Sequence, residues 1–247
     1  MDTAAYLARI RYAGPRDASL ETLRALHIAH LYAVPFENLD IHWGRPISLN
    51  LADLFEKIVA RRRGGFCYEL NGLFAAALRE LGFRVTLLSA EVARQAGGYS
   101  AEFDHLTLRV DLDEPWLADV GFGQGFRQPL RLSDSAPQVQ PDHTYRIDTE
   151  GDYRILYRQD AENWTPQYRF TLRPRVLEDF AERCVYQQTS LESHFTRERV
   201  CTLATPDGRV TLAGNRLIVT TPAGRTETPL PDPEYAAALR DRFGVLE

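Results

Sequence analysis

Little in this chain suggests cross-linking, metal binding or a membrane. Its three cysteines, Cys67, Cys184 and Cys201, are odd in number and far apart, which excludes a disulfide framework and a Cys-x-x-Cys metal site. No run approaches the roughly 18 apolar residues of a membrane helix. Basic charge is not in excess: 29 Lys and Arg stand against 34 Asp and Glu, for a net charge of −5. That gives no electrostatic footprint for nucleic acid. Repeats, low-complexity segments and flexible linkers are missing too. The opening residues, Met1 to Tyr6, have no basic region followed by an apolar run, so no secretory signal is read there. A cytoplasmic enzyme is the expected setting. What is present is ordinary for a soluble globular protein, 44% hydrophobic and 26% charged over 247 residues, with room for more than one domain.

The stretch that organises the rest is Arg61-Arg-Arg-Gly-Gly-Phe-Cys67. After it the apolar residues Cys67, Leu70, Phe74, Ala77, Leu78 and Leu81 fall at steps of three and four, one face of a helix. Gly64 and Gly65 punctuate the chain before that helix, as residues that reach backbone angles others avoid. Cys67 then sits in the first turn, where free N–H groups and the helix dipole favour negative charge. A thiol there is expected to ionise more easily, with Arg61, Arg62 and Arg63 adding positive charge. Taken alone, a cysteine opening a helix is more often an inert buried residue.

Residues 1 to about 82 read mostly as helix. Ser19 caps a helix with the inward stripe Leu20, Leu23, Leu26, His30 and Leu31. Val34-Pro35 breaks it, and a further helix is expected over about residues 51–60. From Phe83 the period becomes two. Asp104 to Val110 alternates, with Leu106, Leu108 and Val110 on one face and His105, Thr107 and Arg109 on the other. Trp116 to Val120 is the next strand, and more follow near 144–148, 153–158 and 164–170. Many short strands of this kind predict a barrel or sandwich. Helix returns over about residues 176–188. A run of hairpins then precedes a last helix with Pro233 in its first turn. The fold class is α+β, divided as a helical domain (1–82), a β-barrel domain (83–188) and a small α/β lid (189–247).

A catalytic cysteine needs a base, and the base needs a third group to orient it. Of the six histidines, His27 and His30 share a helix without further metal ligands nearby, and His143 and His194 read as surface residues. His105 lies on a strand that a turn at residues 111–115 joins to the next. A hairpin symmetric about residue 112 places Asp119 directly opposite His105, where a carboxylate can hold an imidazole. A solvated edge histidine and a turn aspartate remain the plain alternative.

These residues carry a resemblance. Arg63-Gly-Gly-Phe-Cys67, Asp104-His-Leu-Thr-Leu-Arg109 and Leu117-Ala-Asp119-Val-Gly-Phe-Gly123 resemble the arylamine N-acetyltransferases, as do Val34-Pro-Phe-Glu-Asn38 and Ser193-His-Phe-Thr-Arg197. The resemblance implies a triad of Cys67 as nucleophile, His105 as base and acid, and Asp119 as orienter. It implies Phe36 and Phe122 on the acceptor pocket, Gly121 and Gly123 beside the coenzyme A cleft, and Arg63 with Glu37 as a structural pair. No metal and no permanently bound cofactor are implied. The substrates would be acetyl-CoA as acyl donor and a small arylamine or arylhydrazine acceptor. An amide synthase closing a polyketide macrolactam, or a cysteine hydrolase, would use the same triad logic. The C-terminal segment is short, and no coenzyme A contact is assigned to it.

Overall fold

The N-terminal helices are set by local signals that the tertiary contacts then use. The computed structural model describes residues 1–246. It begins with α1 (Thr3–Arg9) and α2 (Leu20–Ala33). The Ser19 side chain accepts the Thr22 N–H at 3.3 Å, so α2 starts where its capping residue predicts. Next come the short strand β1 (Phe36–Glu37), α3 (Leu39–His42) and α4 (Leu51–Phe55). One π turn (Glu56–Ala60) extends α4, and α5 (Cys67–Glu80) follows. Every residue of α5 from Cys67 to Leu78 is buried. It is therefore a central helix enclosed on all sides, where the apolar stripe alone predicts one buried face.

Eight strands then form one sheet. They are β2 (Arg84–Val92), β3 (His105–Asp111), β4 (Pro115–Ala118), β5 (Leu130–Arg131), β6 (Gln138–Val139), β7 (Thr144–Glu150), β8 (Tyr153–Asp160) and β9 (Asn163–Thr171). Their spatial order is β5-β4-β3-β2-β9-β8-β7-β6, antiparallel throughout, a nearly closed barrel. Side-chain amides bridge its seam. Gln138 Oε1 accepts the Arg131 N–H at 2.8 Å and its Nε2 donates to the Arg131 carbonyl at 3.0 Å. Gln140 Oε1 accepts the Arg127 and Gln128 N–H groups at 2.8 and 3.1 Å, and its Nε2 donates to the Gln128 carbonyl at 2.7 Å. Leu88, Ala90, Leu117, Phe126, Tyr145, Tyr168 and Phe170 belong to the barrel's core. Leu106, Leu108 and Val110 of β3 join the helical core instead. β3 is thus buried on both sides, and the polar side chains of His105 and Thr107 lie inside the protein.

A 3-10 turn (Leu177–Phe180) leads into α6 (Ala181–Thr189) and α7 (His194–Arg197). The chain finishes with β10 (Val200–Thr205), β11 (Gly208–Ala213), β12 (Arg216–Thr221), β13 (Gly224–Pro229) and α8 (Asp232–Phe243). β1 pairs with β10, Phe36 opposite Thr202 and Glu37 opposite Cys201. The segment around Pro35 is therefore a sheet edge as well as a helix break. It carries Phe36 toward the C-terminal strands.

Gly64 and Gly65 are required for a different reason from the expected one. Neither has a positive φ. A Cβ on Gly64 would lie 2.0 Å from the Pro35 carbonyl oxygen, and one on Gly65 2.7 Å from Glu69 Oε2. The backbone before Cys67 runs against its neighbours with no room for a methyl group. Gly64→Ala is expected to cost about 3 kcal/mol or more through this overlap. Urea unfolding at unchanged slope reads the loss as a lower midpoint, and a midpoint equal to that of the wild type would refute the close-approach account.

Candidate active site

The start of α5 is held by a buried ionic network. The Glu69 carboxylate reaches back to the Phe66 N–H at 3.0 Å, which caps the helix one residue before Cys67. Its other oxygen accepts from Lys57 Nζ at 2.7 Å, and Lys57 also meets Asp40 at 2.7 Å. Arg63 bridges Asp40 at 3.0 Å and Glu37 at 2.7 Å. The Arg63–Glu37 pair implied by the resemblance is thus present. Satisfied on all sides, the network locks the segment that delivers Cys67.

The charges around the thiol differ from those expected. Arg63 is neutralised by its carboxylates, and Arg61 and Arg62 are exposed. Cys67 is 3% exposed. Burial pushes its pKa well up, and the Asp104 and Asp119 carboxylates add to that.

His105 Nε2 lies 2.6 Å from Asp119 Oδ2, and both side chains are buried. The expected pairing is right in face and wrong in register. The ladder sets Leu108 opposite Ala118 and Val110 opposite Trp116, so the hairpin is centred on residue 113. Continued beyond the end of β4, that ladder would set Thr107, not His105, against Asp119. The error leaves the side-chain parity intact, and a diagonal neighbour on one face is within reach.

Four donors surround the Asp119 carboxylate. Oδ2 accepts from His105 and from the Tyr168 hydroxyl at 2.9 Å. Oδ1 accepts from Asn71 Nδ2 and from the Gly121 N–H, each at 2.9 Å. Burial alone would raise the Asp119 pKa, but His105, Asn71 and Gly121 outweigh it and hold the group below the usual carboxylate range. Asn71 also donates to the Leu106 carbonyl at 2.7 Å and accepts the Val120 N–H at 2.9 Å. One side chain, a turn beyond Cys67 on α5, therefore joins the segments carrying Cys67, His105 and Asp119. The sequence reading missed Asn71 and Tyr168. The only signal for Asn71 was a polar residue four positions after Cys67 in an apolar helix, and Tyr168 had none.

Cys67 and His105 open on one cavity of about 780 Å³, together with Phe36, Gly121, Phe122 and Gly123. Phe122 meets the His105 ring edge-on, with centroids 5.1 Å apart. Gly123 has φ +78°, where glycine is needed. Gly121 is needed for closeness: a Cβ there would sit 2.8 Å from Cys67 Cα. His194 is exposed, as expected of a surface residue, yet it too lines this cleft. Among the described residues no cluster of His, Cys, Asp and Glu could hold a metal ion. None of their helices is long and apolar enough to cross a membrane.

The comparisons bear on this fold and cavity together. A family model described as N-acetyltransferase matches residues 19–246. The chain is 38% identical over 254 residues to arylamine N-acetyltransferase of Mycolicibacterium smegmatis, covering 99% of this chain and 92% of that protein. Against arylamine N-acetyltransferase 1 of Homo sapiens it is 37% identical over 236 residues, covering 87% and 81%. Among solved structures, arylamine N-acetyltransferase from Mycobacterium marinum in complex with CoA superposes with a TM-score of 0.92 at 36% identity. That superposition covers 99% of this chain and 93% of that one. The enzyme from Salmonella typhimurium gives a TM-score of 0.94 at 35% identity, covering 98% and 90%. These matches make the chain an acyltransferase. It belongs to the arylamine N-acetyltransferase family.

Asn71→Asp is expected to set a second carboxylate against Asp119 and to remove two donated hydrogen bonds. A stability loss of about 2 kcal/mol or more should follow, with the deficit shrinking as acid protonates the new pair. Thermal melts of both proteins from neutral to mildly acidic pH check this. An unchanged melting temperature at neutral pH would show that Asn71 is not holding Asp119.

Proposed function

We propose that this chain transfers an acetyl group from acetyl-CoA to the nitrogen of arylamines or arylhydrazines, through an acetyl-Cys67 intermediate. One observation supports the reading most: the cavity that exposes Cys67 also exposes His105, whose Nε2 is bound at 2.6 Å to a buried carboxylate. In this reading Cys67 is the nucleophile, His105 the base and acid, and Asp119 the orienter. With Nε2 committed to Asp119, Nδ1 is the nitrogen that takes the thiol proton. Cys67 passes its proton to His105, and the thiolate, paired with the imidazolium, attacks the thioester carbonyl. The imidazolium that forms is balanced by Asp119.

Sγ bonds to the thioester carbonyl carbon, the carbon–sulfur bond to coenzyme A breaks, and His105 returns the proton to the departing thiol. One thioester replaces another, so this half-reaction is nearly balanced. The arylamine, a weak base that arrives uncharged, then attacks the acetyl carbon. His105 accepts the proton its nitrogen sheds, and the amide leaves as Cys67 is freed. General acid–base help of this kind is worth about 10²–10⁴-fold. Phe36 and Phe122 offer the aryl ring an aromatic wall, and the N–H groups at Gly121 and Gly123 suit the coenzyme A side of the cleft. Both substrates are small and diffuse in and out, so the reading needs no permanently bound cofactor and fits a cytoplasmic setting. The work divides among a helical domain (1–82) bearing the nucleophile, a barrel domain (83–188) bearing His105 and Asp119, and a lid (189–247) that excludes water.

Incubation with acetyl-CoA should add one acetyl group to the Cys67 peptide, detected by mass, and Cys67→Ala should abolish transfer to an arylamine. Transfer that survives Cys67→Ala would end the proposal. Asp119→Asn should remain folded while transfer drops by about 10²–10⁴-fold. Wild-type rates in that variant would remove Asp119 from the mechanism.

A further inference from the structure

His27 is a buried titratable group for which the proposed acetyl transfer has no use. Its ring is fully enclosed, and both nitrogens are bound. The Asp119 N–H donates to Nε2 at 3.1 Å. Nε2 therefore carries no proton, and Nδ1–H donates to the Arg127 carbonyl at 2.9 Å. The ring stacks on Phe126, with centroids 5.6 Å apart and planes 9° from parallel. Phe74 meets the ring edge-on, with centroids 6.1 Å apart. Burial pushes its pKa down to about 4, so the ring stays neutral.

The two groups it binds are the two ends of one irregular segment. Between Asp119 and Arg127 the chain runs Val-Gly-Phe-Gly-Gln-Gly-Phe, with no helix or strand to hold it. Three glycines leave such a segment many conformations. Yet its beginning must present Asp119 to His105, and its middle must keep Phe122 on the His105 ring. The far end is anchored as well. The Arg127 guanidinium donates to the Thr205 carbonyl at 2.6 Å, the Gly208 carbonyl at 2.8 Å and the Tyr32 hydroxyl at 3.1 Å. The segment is thus pinned to the β10–β11 hairpin at one end and to the triad at the other, with one imidazole across its base.

We propose that His27, through its two ring nitrogens, staples the ends of the Asp119–Arg127 segment and so acts as a positioning residue for Asp119 and Phe122. The inference rests on the triad reading above. Without the staple, a buried Asp119 N–H and the Arg127 carbonyl lose their partners, and the peptide next to the carboxylate is free to turn. A shift of about 1 Å at a catalytic group can cost about 10²-fold in rate.

His27→Phe keeps a ring against Phe126 and removes both nitrogens. His27→Gln returns one amide. Single-turnover acetylation of Cys67 by acetyl-CoA is expected to slow by about 10- to 100-fold in His27→Phe, with the KM for acetyl-CoA within about threefold of wild type. His27→Gln should recover part of the rate. Alkylation of the Cys67 peptide by iodoacetamide should need a higher pH in His27→Phe, because a displaced Asp119 no longer supports the imidazolium. Packing alone would not move that profile. In the wild type, nitrogen NMR should find His27 as a neutral Nδ1–H ring throughout about pH 5 to 8. An Nε2–H tautomer, or titration within that window, overturns the inference. So does a folded His27→Phe with wild-type acetylation and alkylation profiles. If His27→Phe does not fold, the tautomer and the His27→Gln profile decide. A wild-type protein whose Cys67 takes no acetyl group would remove the triad reading itself, whereas equal acetylation of wild type and His27→Phe removes only the staple.

Discussion

One buried negative charge organises this molecule. A carboxylate out of water is costly unless its oxygens are met by donors, and Asp119 is met by four. They come from α5, β3, β9 and its own following turn, while α2 binds its backbone N–H. Each of these elements is drawn to one point by the need to solvate the same group. The helical part and the barrel therefore meet at a fixed distance, and the cavity beside them inherits that precision. Preorganisation of this kind spares the site from rearranging when charge moves during a reaction.

A second set of charges does a separate job. Glu37, Asp40 and Glu69 pair with Lys57 and Arg63 beneath the start of α5. They hold the backbone that carries Cys67. Burial raises the pKa of the sulfur, and in the proposed mechanism His105 is the group that takes its proton. A reactive cysteine exposed to solvent with a depressed pKa would meet oxidants and electrophiles continually. A buried one, 3% exposed, is shielded from both. The family matches and the geometry agree on acyl transfer, a chemistry that needs this restraint because water competes for the acyl group.

Much of this was legible in the residues. The period of three and four after Cys67, the capping Ser19 and the alternation through His105 are local signals, and α5, α2 and β3 follow them. The change from helical to alternating period near Phe83 marks where the barrel begins. What failed were statements about distance between segments. The hairpin register was misplaced because the turn geometry between β3 and β4 sets it, and composition of the turn does not. The role of Gly64 was misread because the Pro35 carbonyl that crowds it lies 29 residues earlier in the chain. The three arginines were credited with activating the thiol because nothing local reveals that Arg63 is already spent on Glu37 and Asp40.

By itself, the order of residues determined the element types, the α+β class and the identity of three chemically complementary side chains, since these depend on periodicity and on functional groups. Only the tertiary structure decided that Asn71, Tyr168 and His27 converge on Asp119, that Gly64, Gly65 and Gly121 serve close approach, and that burial raises the pKa of the thiol. Those outcomes depend on hydrogen bonds and burial between residues up to 92 positions apart, and no pattern along the chain encodes such a separation.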